Sequence, residues 1–192
     1  MEDLLKNNEE YLDETCSVCG RRLTKYGNKR LKDGILCRTC AIFSSPFLRK
    51  EDFAQMTVED VKKHLDYRRE NARKLENFKK SVTVEGRYDL YIDEEERCLV
   101  FSKKRDLLKE NPDIIPLDSI KEISIVEEQY LKEDGVDVLM ELELDHEEVK
   151  HVGFRINEFP GINNQTEEYR KTCETADAYL KAIVAVTDME EV

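Results

Sequence analysis

The sequence predicts an α+β chain. A small four-cysteine module and a linking helix come first, followed by an antiparallel β-barrel or sandwich closed by a C-terminal helix. Three observations carry this. Four of the six cysteines form two Cys-x-x-Cys pairs, Cys16/Cys19 and Cys37/Cys40, while Cys98 and Cys173 stand alone. Charge divides along the chain: residues 16–50 carry nine basic side chains against one acidic, and residues 81–192 carry thirteen against twenty-nine. The apolar period changes from three-to-four to two near residue 81.

Taken in order, residues 1–15 are polar and read as a frayed or weakly helical segment. Residues 16–50 hold the cysteine pairs, with Asp33-Gly34 as the turn of a short hairpin between Lys29–Leu31 and Ile35-Leu36. Pro46 breaks the short apolar stretch that follows. Residues 51–80 form the linking helix. Thr57 is placed to cap it, with Asp60 three positions on. Val58, Val61, Leu65, Ala72 and Leu75 make one apolar stripe, interrupted by Arg68. Val61, Leu65 and Leu75 are therefore the expected docking contact, with Arg68 at its edge either snorkelling or finding a carboxylate and His64 on the solvated side.

From residue 81 alternation takes over. GRYDLYID and CLVFS read as a hairpin about Asp93-Glu94-Glu95-Glu96. IKEISIVEEQYL turns near Glu133-Asp134-Gly135, and VDVLMELELD pairs back through His146-Glu147-Glu148 to VKHVGFRI. A closing helix is expected from about Thr166 to Val186, with Tyr169, Cys173, Ala176, Leu180, Ile183 and Val184 on one face.

The chemistry lies in the cysteines. A two-residue gap lets both thiolates of a pair reach one ion, and seventeen residues between the pairs is a zinc-site spacing. Four protein ligands leave no open position, so one structural zinc per chain is expected on Cys16, Cys19, Cys37 and Cys40. So small a module has too little apolar core to fold without such support. Arg21, Arg22, Lys25, Lys29, Arg30, Lys32 and Arg38 around it either contact nucleic acid or offset the negative charge of a tetrathiolate site. Cys98 and Cys173 read as core thiols.

With both modules read, the chain resembles a family of uncharacterised bacterial and phage-associated proteins that open with a four-cysteine, zinc-ribbon-like domain of unknown function. The resemblance rests on CSVCGRRL, RLKDGILCRTCA and TVEDVKKHLDYRRENARKLENF, over residues 16–80. YDLYIDEEERCLVF and DIIPLDSIKEISI are similar to bacterial pleckstrin-homology-like domains. The resemblance implies no enzyme activity.

Composition narrows the function further. The net charge of −12 over 192 residues disfavours nucleic acid or anionic lipid as a partner of the whole chain. Lys103-Lys104-Arg105 is the one small basic cluster of the second module. No apolar run approaches the ~20 residues of a membrane span, and the acidic N-terminus lacks a signal-peptide pattern, so a cytoplasmic protein is expected. No nucleophile elbow, phosphate loop or HExxH is present. The expectation is a non-enzymatic adaptor that binds another protein. A nucleic-acid-associated factor is the alternative, and a homodimer through residues 57–79 is one form the helix contact takes.

Overall fold

The computed structural model describes residues 14–103, 106–130 and 135–187. Most of the polar segment 1–15, two members of the basic cluster (104 and 105) and positions 133 and 134 of the turn lie outside them. The chain divides into two compact units, Met1–Glu70 and Asn71–Val192.

The first unit is built on short elements. A bridge between Thr15 and Arg22 folds the first cysteine pair into a tight loop. Gly20 turns that loop in the left-handed region at φ +70°, where a Cβ is disfavoured. Strands β1 (Lys29–Arg30) and β2 (Ile35–Leu36) pair antiparallel, Lys29 opposite Leu36. The Asp33-Gly34 turn forms as expected, closed by the Leu31 amide donating to the Gly34 carbonyl at 2.9 Å. A Cβ on Gly34 would fall 2.5 Å from the Ser17 hydroxyl, so only glycine allows the turn to pack against the first cysteine loop.

Two short helices follow: α1 (Arg38–Phe43), where a broken apolar stretch was expected, and α2 (Lys50–Gln55), which stands apart from the rest of the linking helix expected over 51–80. Both are too short for a periodicity argument. Each is recognisable only by its capping residue, Cys37 for α1 and Asp52, which accepts from the Arg49 amide, for α2.

Helix α3 (Val58–Leu75) starts as the sequence predicts. The Asp60 amide donates to Thr57 Oγ1, the Thr57 amide donates to Asp60 Oδ2, and Asp33 caps Val58 from the hairpin turn at 2.7 Å. In its apolar stripe Val61 and Leu75 are buried, and Val58, Leu65 and Ala72 are half-buried. Val61 lies in the core of the first unit with Leu23, Leu36 and Phe53, Leu65 packs against that core, and Leu75 belongs to the second unit with Tyr91, Val100 and Leu107.

Two side chains of α3 differ from expectation. His64 is fully buried, not on the solvated side, because its Nε2 accepts the Ser45 backbone amide at 3.0 Å. Arg68 is also buried, at 6% exposure, rather than snorkelling at an edge. Hydropathy periodicity scores both as polar, and for His64 it is the position of the Ser45 backbone that turns the side chain inward.

The second unit contains two four-stranded antiparallel sheets, neither closed on itself, and a C-terminal helix. One sheet runs β3 (Val82–Val84), β4 (Asp89–Asp93), β5 (Cys98–Ser102), β6 (Ile115–Pro116). The acidic turn between β4 and β5 forms as predicted, with Asp93 accepting the Glu96 and Lys79 amides. A single helical turn, α4 (Leu107–Glu110), follows β5.

The other sheet is centred on β8 (Gly135–Leu144). β7 (Ile120–Gln129) pairs along one side, and β9 (His151–Arg155) and β10 (Ile162–Asn163) along the other. The core face of β8 presents Val138, Met140, Leu142 and Leu144, all buried. Phe101 and Phe154 bring the two sheets together with ring centroids 4.8 Å apart.

Helix α5 (Glu167–Val184) is capped by Thr166 and closes the unit. Its fully packed stripe is Thr172, Ala176, Tyr179 and Ile183. The predicted face is therefore divided: Ala176 and Ile183 are in the core, whereas Tyr169, Cys173, Leu180 and Val184 are only half-buried. Tyr179 takes the central place because its hydroxyl reaches the Tyr88 carbonyl while its ring packs edge-on against Phe101.

Candidate metal centre

The four predicted cysteines converge. One sulfur from each of Cys16, Cys19, Cys37 and Cys40 lies within 4.8 Å of every other. The Cys19 and Cys37 sulfurs are 3.7 Å apart. A tetrahedron with ~2.3 Å metal–sulfur bonds has edges of roughly 3.8 Å, so this pair already stands at bonding separation. All six cysteines are free thiols.

Local structure explains how each sulfur is aimed. In the first loop the Gly20 amide donates to the Cys16 carbonyl and the Cys16 amide to the Arg21 carbonyl, both at 2.8 Å. This tight fold turns both side chains of the pair to one side. The second pair opens a helix instead of a second loop: Cys37 is the N-cap of α1, and its sulfur accepts the Cys40 amide at 3.4 Å. The two halves are joined by the Cys37 amide, which donates to Cys16 Sγ at 3.3 Å. Ser17 adds a reciprocal pair with Ile35, donating through its amide and accepting through its hydroxyl.

The electrostatics fit a bound cation. Burial raises the pKa of the Cys16 thiol, but the amides of Cys37, Cys19 and Val18 outweigh it and bring the group down to about 7. Cys40 is pushed strongly up by burial and by the neighbouring sulfurs of Cys19 and Cys37, and Cys19 is raised by burial as well. One thiolate is favoured while its neighbours resist ionising beside it. A divalent cation at the centre relieves that conflict by attracting every thiolate and offsetting part of their charge. Cys16, Cys37 and Cys40 are buried and Cys19 is exposed, so the site lies just beneath the surface.

Residues 15–64 match the model of a family described as a domain of unknown function (DUF4428). The matched stretch takes in both cysteine pairs, α1, α2 and the first turns of α3. No curated protein and no solved structure matches the chain.

Around this centre Arg21, Arg22, Lys25, Arg30, Lys32 and Arg38 are exposed and Lys29 is half-buried. Large apolar side chains are exposed too: Tyr26 at 57%, Ile42 at 67% and Phe43 at 65%. Ile42 and Phe43 end α1, and the sequence reading missed Ile42 because it placed no helix there.

Elsewhere, Cys98 is a buried strand residue whose thiol is pushed up to about 11, chiefly by burial, which suits an inert core thiol. The two hairpin histidines have separate partners: His146 Nδ1 accepts the Glu148 and Val149 amides, and His151 Nε2 lies 4.0 Å from Glu141. No helix among the described residues is long and apolar enough to cross a membrane.

Proposed function

We propose that this chain is a non-enzymatic cytoplasmic adaptor, whose first unit is stabilised by one zinc ion and whose second, pleckstrin-homology-like unit binds another protein. The observation that carries the reading is the closure of the cysteine centre. Four sulfurs occupy the tetrahedron, leaving no position for substrate or activated water, so the metal's work there is structural. The strand-rich second unit ending in a closing helix supports the pleckstrin-homology-like assignment. Its acidity favours a protein over an anionic headgroup.

Two measurements test this. Elemental analysis of purified protein is expected to return one zinc per chain, and Cys16→Ser is expected to lose it. A metal-free native protein overturns the zinc assignment. A partner captured from the native host and reconstituted from purified components is expected to bind with little dependence on salt.

The alternative reading has its own support. Arg21, Arg22, Lys25, Arg30, Lys32 and Arg38, exposed around the cysteine centre, are accompanied by exposed Tyr26 and Phe43, which suit base stacking. Under this reading labelled single-stranded or duplex nucleic acid binds with an affinity that falls steeply as salt rises. Absence of binding at low salt eliminates it.

A further inference from the structure

We propose that β7 and α5 together form a docking groove for an extended, basic segment of a partner protein, which adds to the sheet as a further strand. The inference rests on the adaptor reading and names the surface and the chemistry of the partner.

Three observations converge on the groove. First, β7 is a ten-residue strand paired with β8 along one edge, and among the described residues no strand pairs with its other edge. A long edge of this kind is a template for strand addition. Second, the core face of the sheet continues past β8 without being covered. Ile123 and Ile125 stand opposite Leu142 and Met140 on that face, yet they are only half-buried where the β8 residues are fully buried. Facing them, α5 presents its second stripe, Cys173, Leu180 and Val184, also half-buried. Between strand and helix lies a groove of about 540 Å³ with Val138 in its wall. Third, β7 is held at both ends: the Tyr169 hydroxyl of α5 donates to Glu127, and Lys121 pairs at 3.4 Å with Asp145, just past β8. From Lys121 to Glu127 the edge runs roughly 20 Å, the length of a short strand.

Charge selects the occupant. A strand laid along β7 points alternate side chains into the groove and the rest over the opposite face of the sheet. The middle of the groove is apolar, with Ile123, Ile125, Leu180 and Val184, and Lys121 and Glu127 stand towards its ends. The opposite side is acidic, with Glu122 on β7 directly across from Glu143 on β8, and Glu128 further along, all exposed. Asp177 adds a negative charge on the helix rim of the groove. The fitting segment alternates small aliphatic residues with Lys or Arg. An acidic or uniformly polar segment lacks one or both complements.

The test uses the full zinc-bound protein, isotopically labelled, and a synthetic peptide alternating valine and lysine. Titration is expected to shift the amides of 121–128 and 173–184. Exchanging the lysines for glutamates is expected to weaken binding at least tenfold, as is Leu180→Asp in a variant whose spectrum remains otherwise native. Two further peptides, N-methylated on alternate residues, need no change to the protein. Strand addition predicts that one set loses binding and the other keeps it, because only one peptide edge faces β7. Shifts centred elsewhere, equal binding by both methylated sets, or no binding by the parent peptide overturns the proposal. A reconstituted native partner indifferent to Leu180→Asp and to competing peptide also overturns it, while leaving the adaptor reading in place.

Discussion

His64 and His146 show how a single imidazole is recruited to satisfy backbone. His64, wholly buried, accepts the Ser45 amide and anchors the turn after α1 to α3. Replacing it with leucine keeps the volume but removes that acceptor, and is expected to cost about 1–3 kcal/mol of stability in the first unit, measured by denaturant unfolding. His146 accepts two turn amides through Nδ1, which requires that nitrogen to be unprotonated. Burial holds its pKa below the ordinary 6.5, although Asp113 and Glu148 oppose the shift. The folded state thus binds the proton less readily than the unfolded chain. Its stabilising contribution is complete above 6.5 and declines as pH falls below that value. Unfolding measured across pH is expected to show this slope in the native chain. In His146→Asn, an acceptor that does not titrate, the slope is expected to be reduced.

At the scale of elements, α3 is the informative case. Its N-terminal box and its stripe are legible in the sequence, but what holds its last turns is a polar residue. Asn71 is 2% exposed; its Oδ1 accepts the Ile114 amide at 2.8 Å, and its Nδ2 donates to the Pro112 carbonyl at 2.7 Å and to Asn111. One side chain therefore satisfies two backbone groups of the segment leading into β6. Asn71→Leu is expected to destabilise the second unit by about 2–4 kcal/mol, since both groups lose a buried partner. The measurement is a urea melt followed by β-sheet signal. Asn71→Ala should behave similarly, distinguishing lost hydrogen bonds from steric misfit. On α5 the comparable feature is the division of apolar residues into a packed stripe through Tyr179 and a half-open one through Leu180.

For the whole molecule, the two units rest on different sources of stability. The first buries three of its four clustered cysteines and a handful of apolar residues, and without metal its sulfurs are electrostatically opposed. The second has a continuous core across two sheets and a helix. Chelation is expected to unfold the cysteine loop, β1, β2 and α1 and to loosen the start of α3, because Val61 is embedded in the metal-side core. The sheets of the second unit are expected to persist. Amide spectra recorded before and after chelation check this residue by residue. Collapse of the β7–β9 signals would mean the units fold as one.

The four-cysteine cluster, the Asp33-Gly34 turn, the Thr57 cap and the strand hairpins were legible from the chain alone, because each depends on spacing or on chemistry local to a few residues. Helices α1 and α2 escaped notice as separate elements because six residues give no period to read. The inward placement of His64 and Asn71 was equally hidden. A polar side chain is buried only when distant backbone offers it a partner, and hydropathy carries no trace of that partner. The division of α5 into a packed and a half-open stripe belongs to the same class. The sequence shows that the helix is amphipathic, but only the tertiary arrangement decides which apolar residues the sheets cover and which remain open beside β7.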